Sequence, residues 1–468
     1  MGYIGGNAMK DRLKVIKKQI NEREDLVFLI VSVLFGIIMS FARVGGDDAT
    51  VINSTHNFSV MNAWQQEKLN WFRWSSRILV NFVNRSLLGL PRWIWGGYLF
   101  VSMYVLLKAL SQLFVVENKK FCNLFIACLV LIMPWQQLST AGWICTTGTY
   151  FGPVAFGIMG LVPIAKYYKK TRCSVLEEIF YIICLIYGTN IEQMMVIDVG
   201  CYTVAIIYFI LKKINVKLIL VNFCVTIMSV VNFLICPGNS GRKLEEEANW
   251  FPTFSMLNSV DKVDVGLFTT LRNIFLDNSF LFILIIIVMM TFIINKKYGE
   301  KKYKYIAFFP TIVLMLLGPF KNFLILFFPH ISGIYNEWSE YGLFTVDNAK
   351  GISAYVIYLV LMVILLNILL LIILVSNSIE DLIVYVTILA LGLISRIAIG
   401  VSPTIYASGT RTFEVFYMCI IIVGVKVFAE NIVVEKINAK TVNILEMMMV
   451  FSIVISFVEI GGLVRTIF

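Results

Sequence analysis

Apolar runs long enough to cross a bilayer recur along this chain from about Leu26 to about Leu463, separated by short polar or basic segments. A helix needs about 20 such residues to traverse a hydrocarbon core of roughly 30 Å, where every backbone polar group must be bonded within the protein. Only helix bundles and closed barrels meet that demand. The alternating ten-residue pattern of barrel strands is missing, so the sequence predicts an all-α integral membrane protein. Composition agrees: 59% of residues are hydrophobic and 15% charged, whereas a soluble domain carries about 25% charged residues.

The runs give about 13 transmembrane helices. Lys10, Arg12, Lys14, Lys17, Lys18 and Arg23 precede the first, which places the basic segment 1–25 in the cytoplasm. No small-residue cleavage site follows, so the first run reads as a span and not as a signal peptide. Residues 26–468 then form a single polytopic membrane domain. Spans fall near 26–41, 94–114, 121–133, 151–165, 177–187, between the Glu192 break and Lys212-Lys213, at 218–236 and before Lys296. Others follow near 305–328, 353–375, 382–400, 412–428 and 442–463. This order puts a first outer loop at 44–92, a further outer loop at 237–272 and the C-terminus outside.

The formal charge of +10 suggests an anionic partner, but the basic residues lie between spans and not on one face, so nucleic acid is not expected. Lysine clusters such as Lys119-Lys120, Lys169-Lys170 and Lys212-Lys213 fall in loops assigned to the inner side. The outer side holds Arg73, Arg77, Arg85, Arg92, Arg242, Arg272 and Arg411. The planar guanidinium suits phosphate or carboxylate, although arginine at headgroup depth is also an ordinary anchor. The nine cysteines lack metal or redox spacing, and two histidines are too few for a histidine-based zinc site or triad.

Candidate chemistry gathers on the outer side. Gly45-Gly46-Asp47-Asp48 follows the first span at once, and a carboxylate pair there can act as a base, bind a cation or cap the next helix. From Val60 to Leu87 an amphipathic helix is expected in the interface plane, with Arg73, Arg77, Asn81 and Asn84 along one face. Glu192 sits in the Gly188-Thr189-Asn190-Ile191-Glu192 break between two spans, suited to sugar hydroxyls or to orienting an arginine. Asp198, deeper in the same helix, reads as structural. Pro237-Gly238-Asn239-Ser240-Gly241-Arg242 reads as a turn able to hold a phosphate. Arg411 precedes another span and is three residues from Glu414, with which a plain ion pair is the competing account. Arg396 is a charge at membrane depth and needs a partner or a ligand.

Taken in order, the first span, the Gly-Asp-Asp opening of the outer loop and Trp74-Ser75-Ser76-Arg77 resemble the GT-C superfamily of polytopic membrane glycosyltransferases. The Gly-Thr-Asn-Ile-Glu break and the Pro-Gly-Asn-Ser-Gly-Arg turn are similar to its bacterial branch that decorates O-antigen and cell-wall polysaccharides. The resemblance implies a GT-C-like fold with a helical catalytic first outer loop, in the bacterial cytoplasmic membrane with the active site facing outside. It implies a polyprenyl-phosphate-linked sugar as donor, a cell-surface glycan as acceptor, and inversion at the anomeric carbon. An acid of the first outer loop serves as general base, a role carried over to Asp47 or Asp48 with Asp48 favoured as the second acid. Arg77, Arg242 and Arg411, with Arg73 in reserve, are the expected ligands of the donor phosphate. Glu192 and Trp74 are the expected sugar-binding or orienting residues. No cofactor or metal is expected, while a divalent cation on Asp47 and Asp48 stays open.

Two other classes fit a polytopic, outward-facing chain. A glycan polymerase or ligase would use a lipid diphosphate donor. A lipid or polysaccharide transporter should carry an internal repeat and midplane charges, and no such repeat is evident.

Overall fold

The computed structural model describes residues 24–53, 59–277, 280–296, 301–333, 352–434 and 439–467. The basic N-terminus through Arg23 and the histidine His56 lie outside them. Among the described residues the secondary structure is helical, with no strand. The chain begins with α1 (Leu26–Met39), then α2 (Asp47–Asn53), α3 (Val60–Arg73) and α4 (Ile78–Gly89). Next come α5 (Arg92–Phe114), α6 (Lys119–Leu131), α7 (Trp143–Tyr168), α8 (Val175–Gly188) and α9 (Glu192–Leu211). The middle of the chain supplies α10 (Lys217–Ile235), α11 (Gly238–Trp250), α12 (Ser259–Arg272) and α13 (Phe280–Lys296). The remainder holds α14 (Lys301–Leu317), α15 (Lys321–Phe327), α16 (Ile352–Val375), α17 (Ile379–Ile397), α18 (Glu414–Val434) and α19 (Ala439–Ile467).

A helix lies at each of the expected spans. Among the described residues, eight helices are long and apolar enough to cross a membrane, or up to 10 if two bent pairs each count as one. The chain is therefore a multi-pass, all-α membrane protein. α1, α6 and α8 have 14, 13 and 14 residues, about 20 Å at 1.5 Å per residue, short of a hydrocarbon core of roughly 30 Å.

α18 is the central post. The most apolar window of the stretch around it, Gly409–Ile432, is buried throughout, whereas α10 and α19 show most of theirs to the outside. Phe125 of α6 stacks on Phe428 of α18 with ring centroids 3.7 Å apart, and α17 lies along α18 on another side. Where helices meet most closely, glycine makes room, since lipid gives no hydrophobic push between them and packing must hold them. A β-carbon on Gly36 of α1 would stand 2.7 Å from the carbonyl oxygen of Gly96 on α5. One on Gly188 of α8 would stand 2.4 Å from the Cα of Gly157 on α7.

The helix starts follow local chemistry. Ser59 Oγ accepts from Asn62 N to cap α3, Ser174 and Glu177 form a capping box on α8, and Asn258 and Asp261 form another on α12. Two expectations need correction. The stretch from Val60 to Leu87 is not one helix: α3 and α4 are separated by Trp74–Arg77, so Arg73, Arg77, Asn81 and Asn84 do not share a helical face. What needs correction in the segment 237–272 is the turn expected at Pro237–Arg242: Gly238 to Arg242 form the first turns of α11, and α12 follows within the segment.

Candidate active site at the Asp47 end of the bundle

After α1 the chain turns at Gly46 and meets the start of α7. Gly46 has φ +53° and Gly142 φ +112°, values that suit glycine because a side chain is strained there. Both turns also leave no room: a β-carbon on Gly46 would be 2.9 Å from the Ala141 carbonyl oxygen, and one on Gly142 2.7 Å from the Asp48 carboxylate. The Asp47 backbone N–H donates to the Ala141 carbonyl at 2.8 Å.

This grip sends the two acids in different directions. Asp48 is fully buried. Its Oδ1 accepts from the Cys145 N–H at 2.8 Å and its Oδ2 from the Ile144 N–H at 3.2 Å. It thus neutralises the free N–H groups at the start of α7, where the helix dipole also favours an anion. Burial pushes the Asp48 carboxyl above the usual carboxylate range; the two N–H donors pull against that rise, and the neighbouring Asp47 charge adds to it. The Asp47 side chain is 66% exposed, with Oδ2 3.9 Å from Arg411 Nη1. Asp48, favoured in sequence as the base, has both oxygens occupied and no solvent exposure; Asp47 is the acid of the pair left open.

A second group forms at the break between α3 and α4. Asn239 Oδ1 accepts from Ser76 N at 3.3 Å, and Asn232 Nδ2 donates to the Ser76 carbonyl at 3.1 Å. The corner between α10 and α11 therefore holds the break open. Gly238 allows this approach, because a β-carbon there would be 2.4 Å from Trp74 N. Arg77, at the start of α4, reaches the Glu192 carboxylate through Nε at 2.8 and 3.0 Å and through Nη2 at 2.6 Å. Asn190 Oδ1 accepts from the Leu79 and Val80 N–H groups, both at 3.1 Å. The Gly-Thr-Asn-Ile-Glu break thus supplies α4 with a cap and a counter-ion. Arg242 lies within α11, pairs with Glu246 at 2.9 Å and places its guanidinium over the Trp74 ring at 5.6 Å. Arg73 is exposed.

The third group lies where α17 ends and α18 begins. Arg411 faces Asp47 and not Glu414, which is buried and receives Gln137 Nε2 at 3.4 Å. The competing Arg411–Glu414 pair is therefore replaced by a link between the first loop and the start of α18. Arg411 Nε is buried with no hydrogen-bond partner among the described residues. Arg396 is 1% exposed, lies over the Phe413 ring at 4.0 Å and donates through Nη2 to Thr269 Oγ1 at 3.4 Å. Its Nε and Nη1 have no partner among the described residues. Buried donors of this kind cost free energy when left unmade, and an anion or ordered water can satisfy them.

Tyr150 lies near the side chains of both Arg77 and Arg396 and so stands between the groups. Sequence reasoning did not single out Tyr150, nor the buried Glu67 that holds Arg85 at 2.9 Å. The polar, aromatic stretch Trp135–Tyr150 between apolar runs was the available signal for Tyr150. Of the residues expected at the site, Asp47 and Arg411 meet, Arg77 and Glu192 meet, Arg242 and Trp74 meet, and Arg73 stands apart. Among the described residues, no group of three or more His, Cys, Asp or Glu side chains could hold a metal ion. Comparison with known proteins returns no matching family model, no similar curated protein and no similar solved structure.

Proposed function

We propose that this chain is an inverting GT-C-type glycosyltransferase of the bacterial cytoplasmic membrane, with about thirteen crossings and the Asp47 end outside. It moves one sugar from a polyprenyl-phosphate donor to a cell-surface glycan. The reading is carried by one arrangement: the open Asp47 carboxylate beside Arg411, with guanidinium nitrogens on Arg411 and on Arg396, which lies over Phe413, that have no partner among the described residues.

In this reading Asp47 takes the proton from the acceptor hydroxyl as its oxygen attacks the anomeric carbon. The bond from that carbon to the phosphate oxygen breaks, and the polyprenyl phosphate leaves with the electron pair. Arg411 and Arg396 are already placed to receive the growing phosphate charge, so little reorganisation is needed at that moment. Arg77 and Arg242, already held by Glu192 and Glu246, shape the wall and are not free phosphate ligands. Glu192 and Trp74 remain candidates for contact with the sugar.

The test uses the purified protein with synthetic polyprenyl-phosphate glucose and glycan acceptors, with and without EDTA. Loss of a general base costs about 10²–10⁴-fold, so Asp47→Asn should lose turnover by that factor with its melting temperature kept. Asp48→Asn should instead lower the melting temperature. Full turnover in Asp47→Asn sinks the base assignment, and loss of turnover in EDTA replaces the metal-free reading. Consumption of a lipid diphosphate donor alone favours a polymerase or ligase. No consumption of any lipid-linked sugar favours a transporter.

A further inference from the structure

A cavity of about 390 Å³ lies at the opposite end of the bundle, among α5, α7, α9, α17 and α18. It is separate from the Asp47 site: α17 runs from Asp381 at this cavity to Arg396 at the other end, about 22 Å at 1.5 Å per residue. Its walls are apolar, including Leu161, Ala165, Val204, Ala205, Phe209 and Ile388. That size lies within the ~300–1,000 Å³ of ordinary ligand pockets.

The mouth is polar, and its charges are unevenly satisfied. Lys426 is held by Asp381 at 2.9 Å and by Glu430, and Glu430 also accepts from the Tyr385 hydroxyl at 2.9 Å. Glu380 is paired with Lys212 at 3.2 Å. Lys169, on the exposed rim, meets only the main-chain carbonyls of Gln112 and Leu113, at 3.4 and 3.2 Å. The three carboxylates at the mouth are thus held by two lysines, Lys426 serving both Asp381 and Glu430, while among the described residues Lys169 has no carboxylate. Tyr168 and Tyr208 pack together beside it, ring centroids 6.0 Å apart, near the ends of two candidate spans, where aromatic rings are common. Val116, Tyr168 and Ile383 are exposed and mark the open side.

We infer that this cavity holds the hydrocarbon chain of an anionic membrane lipid whose headgroup is met by Lys169. The apolar walls suit the tail, and the one cation without an acidic partner stands where the head emerges. A lysine at the lysine-rich end of a bundle attracts the headgroup of an anionic lipid. The inference does not depend on the transferase reading.

The test places the full chain in phosphatidylcholine nanodiscs doped with phosphatidic acid carrying a diazirine in its chain. The same diazirine chain on phosphatidylcholine is the comparison. After illumination, labelling of peptides from α9 and α17 that line the cavity is divided by labelling of the outward-facing residues Met228 and Leu234 on α10. The phosphatidic acid probe should exceed the phosphatidylcholine probe several-fold in the wild type. Lys169→Ala should bring the two to equality, and Ala205→Phe should remove cavity labelling while sparing α10. Equal labelling by both probes in the wild type, or an undiminished preference in Lys169→Ala, overturns the proposal. If Ala205→Phe does not fold, Lys169→Ala decides alone, since its side chain lies at the rim.

Discussion

At the scale of single residues, Asp47 and Asp48 are chemically identical and adjacent, yet α7 makes them unlike. Replacing Asp48 by asparagine leaves one acceptor where two N–H groups converge and turns an amide donor toward the other. An unmade buried hydrogen bond costs about 1–3 kcal/mol, so Asp48→Asn should melt several degrees lower. The pH dependence has a definite sign. Burial holds the folded-state carboxyl above its ordinary value, which is about 3.9 in an unfolded chain. The Asp48 contribution is therefore complete below that value and declines as pH rises through the folded one. Melting curves from pH 4 upward (about the unfolded value) should show this decline in the wild type and less of it in Asp48→Asn. Equal slopes in both proteins would refute the assignment. The sequence made the pair conspicuous but could not divide the roles, because the dividing groups are the backbone N–H groups of residues 144 and 145. Arg411 was legible as a candidate, but its partner was not, since Asp47 reaches it only through the fold.

At the scale of elements, hydropathy located the helices well because burial of backbone in lipid leaves few alternatives. It failed between Val60 and Leu87 for a physical reason. Polar and apolar residues keep a helical spacing straight through Trp74–Arg77, and the break is imposed by Asn232 and Asn239 from a distant part of the chain. Close helix packing gives a sharper expectation. A β-carbon on Gly96 would fall 1.8 Å from Ser40 Oγ and 2.7 Å from the Gly36 carbonyl oxygen, whereas one on the adjacent Gly97 meets nothing within 4 Å. Overpacking costs about 1–3 kcal/mol. Gly96→Val should accordingly lower the melting temperature in detergent, and Gly97→Val should leave it within a degree or so of wild type, on the order of 0.5 kcal/mol for an open site. Equal melting temperatures for the two variants would mean that α1 and α5 are not packed through this contact.

At the scale of the whole molecule, the lysine-bearing loops lie at one end of the helices and the Asp47–Arg411 link at the other. On the charge rule we propose that the lysine end faces the cytoplasm. Cysteine placed at the exposed positions Thr140 or Arg172 tests it. With wild type as the background, Thr140→Cys should react with an impermeant maleimide on intact cells and Arg172→Cys only after permeabilisation; the reverse pattern inverts the proposed topology. The grip of Asp48 on α7 also imposes an order of events during synthesis. Its two N–H partners come 96 and 97 residues later in the chain, roughly 5–20 s at a translation rate of about 5–20 residues per second. Arg411 emerges later still, on the order of 20–70 s after Asp47 at the same rate. Until residue 145 is made α2 lacks its anchor, and until residue 411 is made Asp47 lacks its cation, so this end of the protein is completed in two steps.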